Sequence, residues 1–192
     1  MIRISFILLS ILSILNLFSC QKVEFLEEFV FDYDQFQKII ITAEKIDVSS
    51  NYNAKFDKPY IDHSLIRKPI EILKKWFNNN VGTIGTQNIF NINILEASLK
   101  KTEILNDSKK KYKEKKIFLF ELNFIVEYIL YDEYNMVLAN TIVESNRTIT
   151  SGKNISLNEK ERIIDELIFD CLVDFSFKTN ELLKSHMKNY IL

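Results

Sequence analysis

The stretch IFLFELNFIVEYILY, residues 117–131, alternates with a period of two. Phe118, Phe120, Leu122, Phe124, Val126, Tyr128 and Leu130 fall on one side of an extended chain, and Glu121, Asn123 and Glu127 on the other. Successive side chains of a strand point to opposite faces, so this pattern predicts a long strand with one face on a core and the other at least partly wet. So apolar a face must be covered by other elements.

The flanks supply the rest of a sheet. Asp132-Glu133-Tyr134-Asn135 reads as a hairpin turn and residues 137–150 as the returning strand. On the other side, residues 106–116 (NDSKKKYKEKK) form a basic loop. Residues 88–104 precede it as a strand, with Ile92 and Ile94 alternating with Asn91 and Asn93. Upstream, residues 39–48 are rich in β-branched side chains and read as the first strand, and residues 49–63 as a loop.

Two helices are expected to do the covering. Pro69 suits a first helical turn, and Ile70, Leu73, Trp76, Phe77 and Val81 follow at helical spacing. The run Asn78-Asn79-Asn80 with Gly82 gives a C-terminal stop. Ser156 followed three places later by Glu159 has capping-box spacing. Behind it, Ile164, Ile168, Cys171, Phe175, Leu182 and Leu183 form an apolar stripe that reaches towards Tyr190, with residues 176–180 its weakest part. The expectation is an α+β fold in the order β-α-β-β-β-α: one four-stranded, largely antiparallel sheet with two helices packed on one face, all within a single domain over residues 36–192.

Composition narrows the function. A chain of 192 residues accommodates one domain, and its 47% hydrophobic and 12% aromatic content argues against disorder. A formal net charge of −1 provides no global basic field for nucleic acid. Two cysteines, Cys20 and Cys171, are too few for a disulfide scaffold at this length. The three glycines match no phosphate-cradling loop, and no nucleophile elbow occurs. Asp62-His63 has the composition of an acid–base pair, but a solvated loop histidine is the simpler reading, and His186 reads as a surface group near a helix end. Glu121, Glu127 and Asp132 belong to a wet strand face or turn. Cys171, Trp76 and Phe77 read as core. The chain is therefore expected to be no enzyme and to use no metal and no cofactor.

The N-terminus is more specific. Residues 1–20 read MIRISFILLSILSILNLFSC, with Arg3 followed by an apolar run of about 15 residues, too short for a bilayer span and right for a signal peptide. Leu17-Phe18-Ser19-Cys20 resembles the lipobox of bacterial lipoproteins. Leu at −3, Ser at −1 and Cys at +1 match it, while Phe18 at −2 is bulkier than usual. The resemblance implies a lipid anchor at Cys20, where only a thiol forms the thioether, and cleavage that removes residues 1–19. Residues 20–35, mixed acidic and aromatic, then form a lipidated tether. Gln21, in place of the aspartate that signals inner-membrane retention, implies an outer-membrane address on the periplasmic face.

The single charge cluster comprises Lys109, Lys110, Lys111, Lys113, Lys115 and Lys116. Either it is a solvated hairpin loop, or it contacts lipid headgroups, lipopolysaccharide phosphates or an acidic partner. Lipobox, strand, helix, three-strand meander and terminal helix together resemble the lipopolysaccharide-assembly lipoproteins and the auxiliary lipoproteins of ABC-type lipid transporters. The segment YIDHSLIRKPIEILKKWFNNNVGTIG, residues 60–85, also resembles alphaproteobacterial envelope proteins. These resemblances imply a non-enzymatic transport or assembly accessory whose partner is an outer-membrane barrel or an ABC transporter component. The alternative is an envelope protein that binds lipid or a small ligand in an apolar cavity between sheet and helices.

Overall fold

A computed structural model describes residues 29–106 and 114–192. Its elements in chain order are β1 (Ile39–Ile41), β2 (Lys45–Ser50), a single 3-10 turn (Asp62–Ser64), α1 (Pro69–Asn80), β3 (Val81–Thr83), β4 (Ile89–Leu105), β5 (Lys116–Tyr131), β6 (Val137–Ser151) and α2 (Leu157–His186). A last 3-10 turn follows at Lys188–Tyr190.

The decisive stretch behaves as its alternation requires. Phe120, Leu122, Phe124, Val126, Tyr128 and Leu130 of β5 are fully buried. β5 pairs antiparallel with β4 on one side and β6 on the other. The turn between β5 and β6 is held by Asp132, whose Oδ1 accepts from the backbone N–H groups of Tyr134 and Met136. Asn135 supplies the left-handed residue at φ 60°.

The expected sheet needs correction in two respects. It is mixed, with strand order β2-β4-β5-β6, because β2 runs parallel to β4. The predicted first strand is also two strands: β1 leaves the main sheet and pairs in parallel with β3, a strand that sequence reading missed. The element order is thus β-β-α-β-β-β-β-α. The cause is local. Ile39 and Ile41 are buried, whereas every residue of β2 is exposed or half-buried. A continuous strand would have to satisfy both environments. The break falls at residues 42–44, where the Thr42 N–H donates to the Tyr190 carbonyl and the Glu44 N–H to Gln87. Gly85 lies opposite Ala43 at φ +144°, a backbone conformation that residues with side chains rarely adopt. Val81, expected to close the apolar face of α1, instead opens β3.

The exposed side of β4 is completed in relays. β2 pairs with residues 89–94; a bulge then falls between Ile94 and Glu96. Beyond it, residues 59–61 take over, with the Ile61 N–H donating to Leu99 and the Lys101 N–H to Pro59. At the other edge, α2 lies along β6. Arg147 holds both carboxylate oxygens of Asp174 through Nε and Nη2, and Lys178 Nζ donates to the Glu144 carbonyl.

Both helices cover the same sheet face. Tyr128 touches the Phe77 ring of α1, stacks on Phe90 of β4 and has its hydroxyl 3.3 Å from Thr179 of α2. Phe175 of α2 makes edge contacts with Trp76, Phe77 and Phe124. Ring pairs of this geometry add to the stabilisation gained by burial. The expected cap at Ser156 is present, its Oγ accepting from the Glu159 N–H. The helix ends at His186, short of Tyr190, and passes through residues 176–180 without interruption, with Ser176 and Thr179 buried. No described helix is long and apolar enough to cross a membrane.

Candidate functional site

Cys20, Lys109, Lys110, Lys111 and Lys113 lie outside the described residues, as do the signal-peptide segment and the first part of the tether. The ends of the basic loop are described. The Asn106 N–H donates to the Lys115 carbonyl, closing β4 against β5 where the loop begins and ends. Lys115 is exposed. Lys116 is engaged: its ammonium lies 2.7 Å from Glu103, which also holds Lys153 at 2.7 Å. Bonds from Lys116 and Lys153 pull the Glu103 carboxyl down to about 2. Glu114 in turn accepts from the backbone N–H groups of Lys153 and Asn154, fastening the β6–α2 connection to the base of the loop.

Folding adds cations that the sequence cluster did not reveal. Lys101 of β4 sits with its ammonium 3.6 Å from the Phe118 ring centroid. Its pKa is lowered first by burial, then by repulsion from Lys160 and Lys153. Lys101, Lys160 and Arg67 face a surface cavity of about 240 Å³, lined also by Ile66, Leu157 and the carboxylates Glu161 and Asp165. Arg67 Nη1 donates to Asp165 Oδ2 at 3.0 Å and to the Phe29 carbonyl at 2.7 Å. These cations come from the turn before α1, from β4 and from the first turns of α2. No contiguous run in the sequence marks them, and only the pairing of β4 with β5 and of the loops around them could.

The other sequence candidates are not brought together. Asp62 is buried and accepts from the Tyr52 hydroxyl at 2.8 Å, and its second oxygen has no partner among the described residues. Desolvation, then the bond to Asp62, raises the Tyr52 pKa. His63 points elsewhere, its Nδ1 3.0 Å from the Lys55 carbonyl and its ring against Phe56. Glu121 meets Lys100, Glu127 is within 3.4 Å of Asn93, and Asp132 braces the hairpin turn. His186 is exposed at the end of α2. Cys171 is buried against Ser145, and burial pushes its thiol up to about 12. Among the described residues no three His, Cys, Asp or Glu side chains gather as a metal site. Between sheet and helices, Trp76, Phe77, Phe90, Phe124, Tyr128 and Phe175 are all fully buried.

No family profile and no curated protein matches the chain. Its outline is similar to that of a minor lipoprotein from Acinetobacter baumannii, at 13% identity and a TM-score of 0.40, covering 78% of this chain and 96% of the other. It is similar, too, to the rare lipoprotein B from Shewanella oneidensis, at 13% identity and a TM-score of 0.38, covering 73% and 96%. A neuraminyllactose-binding hemagglutinin homolog from Helicobacter pylori aligns at 11% identity and a TM-score of 0.38, covering 84% and 96%. At these identities and scores, what the chain does has to be read from its own residues.

Proposed function

We propose that this chain is an exported envelope lipoprotein, anchored through Cys20 to the periplasmic face of the outer membrane. There it acts as a non-enzymatic accessory in outer-membrane assembly or in the transport of lipid or lipopolysaccharide. The observation that carries the reading is the sequence of residues 1–20: a cation, an apolar run too short to span, and Leu17-Phe18-Ser19-Cys20 at its end. Acyl chains on one cysteine, with a basic surface nearby, are the two signals that stable membrane attachment calls for.

Its partner is an outer-membrane barrel or an ABC transporter component, reached through the basic end of the sheet. Lys109, Lys110, Lys111, Lys113 and Lys115 are the contact candidates. Lys116 is a further candidate, its ammonium also pairing with Glu103 at the loop base. Fractionation and crosslinking test the two halves of this reading separately. Cys20→Ala is expected to abolish incorporation of radiolabelled palmitate and to release the domain into the soluble periplasmic fraction. Unchanged labelling and fractionation would refute the anchor. Photocrosslinking from Lys110 and Lys113 in native membranes is expected to capture a barrel or a transporter subunit. Capturing neither, with envelope lipid distribution unchanged on deletion of the protein, would refute the accessory role.

A further inference from the structure

The β5–β6 hairpin ends in a run of exposed apolar side chains, Tyr134-Asn135-Met136-Val137-Leu138. Tyr134, Met136, Val137 and Leu138 are 77%, 65%, 55% and 41% exposed, and Ile142, further along β6, is 54% exposed. Single exposed apolar residues are ordinary, but a contiguous cluster marks a surface that meets a membrane or another molecule. The cluster also projects. β4 follows β5 only as far as Ile89, opposite Tyr131, so residues 132–136 stand beyond the last pair of those strands.

Three features suit this tip to a lipid bilayer. Its main chain is satisfied from within: Asp132 Oδ1 accepts from the Tyr134 and Met136 N–H groups, the Asp132 N–H donates to the Met136 carbonyl, and the Asn135 N–H donates to the Asp132 carbonyl. Lipid offers no replacement for a hydrogen bond lost from water, so a turn that enters it must close its own. Charge is the second feature. Residues 131–142 contain no Lys or Arg, and beside Asp132, engaged in the turn, the only charged side chain is the exposed Glu133. Such a tip gains nothing from anionic headgroups, and its attraction to a membrane is apolar. Thirdly, Tyr134 joins an apolar ring to a polar hydroxyl, the combination that settles at headgroup level. The lysine loop lies at the other end of β5, about 50 Å away, and plays no part in this contact.

We propose that the tip from Tyr134 to Leu138 inserts into the interfacial layer of a bilayer with net-neutral headgroups, Met136, Val137 and Leu138 supplying the apolar contact and Tyr134 the headgroup-level ring. The insertion is one turn deep and, by itself, reversible. It adds a second attachment to the acyl anchor proposed at Cys20 and does not rest on it.

Vesicle binding by the chain from residue 20 to 192 with Cys20→Ala tests this, since that chain keeps every described residue and carries no acyl anchor. A nitrobenzoxadiazole label is placed on Met136→Cys or, at the other end of β5, on Lys115→Cys; Cys171 is buried and does not compete. With phosphatidylcholine vesicles that carry spin-labelled acyl chains, the label at residue 136 is expected to shift to the blue and be quenched, and the label at residue 115 to do neither. In unlabelled protein, Val137→Asp should cut co-sedimentation with these vesicles roughly ten-fold or more. Thr148→Asp, a new charge on the exposed side of β6 away from the tip, should leave it unchanged, which separates loss of the contact from loss of the fold. No vesicle binding, quenching at residue 115 and not at 136, or indifference to Val137→Asp would overturn the proposal. So would binding that requires phosphatidylglycerol and fades in high salt, because lysines would then make the contact. Photocrosslinking from residue 136 to a membrane protein, with no quenching by lipid, would overturn it in favour of a protein partner.

Discussion

Cys171 faces the Ser145 backbone and hydroxyl where α2 crosses β6, with sulfur–oxygen distances of 3.6 and 3.7 Å. Burial is the largest cause of its raised pKa, so at pH 8 the thiolate, which is the reactive form, is scarce as well as inaccessible. Native protein carrying Cys20→Ala is expected to resist a maleimide at pH 8 for hours and to react completely once unfolded in guanidinium. Rapid labelling of the native form would mean that α2 lifts from β6. Glu103 is the contrasting residue, exposed yet strongly perturbed by Lys116 and Lys153. Its folded pKa lies below its unfolded one, so its contribution to stability is fully present above the unfolded value and is lost as the pH falls through about 2. Urea melts across this range should therefore show less acid sensitivity for Glu103→Gln than for the parent, with the two curves converging below pH 2.

At the scale of elements, legibility follows periodicity. β5 and β6 could be read because alternate residues of β5 meet only core on one side, and the burial of Phe120 to Leu130 keeps the register the alternation implies. Ser156 could be read because a capping serine bonds within its own turn. β1, β2 and β3 could not be separated. Each is defined by a partner distant in sequence, Ile39 against Val81 and Lys45 against Ile89, and a three-residue strand carries no period of its own. The same reason hid Arg67, Lys101 and Lys160, which converge only once β4 and α2 are in place. The cap allows a direct check. Ser156→Ala should cost about 1 kcal/mol in chemical denaturation, and Ser156→Asp should recover most of it. An unchanged midpoint for the alanine variant would show that packing of the stripe, not the cap, fixes where α2 begins.

At the scale of the whole molecule, one aromatic junction joins every layer. Phe175 of α2 lies 5.6 Å from Trp76 and 6.2 Å from Phe77 of α1, and 6.0 Å from Phe124 of β5, all as ring-centroid distances. Trp76 extends the junction to Phe36, beside β1. A core connected in this way couples the two-stranded sheet to the four-stranded one, so the described domain should unfold in a single calorimetric transition. Phe175→Ala removes the ring at the centre of the junction, and a buried phenylalanine lost to alanine costs about 3–5 kcal/mol. For a domain of this size each kcal/mol moves the melting temperature by roughly 2–4 °C, so a drop of about 6–20 °C is expected, still in one transition. The same variant bears on the alternative of a lipid chamber. If the interior were a ligand cavity partly occupied by side chains, emptying the Phe175 site would enlarge it, and a fatty acid would stabilise the variant more than the parent. A packed core predicts the opposite, a destabilised variant whose melting temperature fatty acid leaves unchanged. A ligand-dependent rise in the melting temperature of the parent itself would return the apolar interior to function.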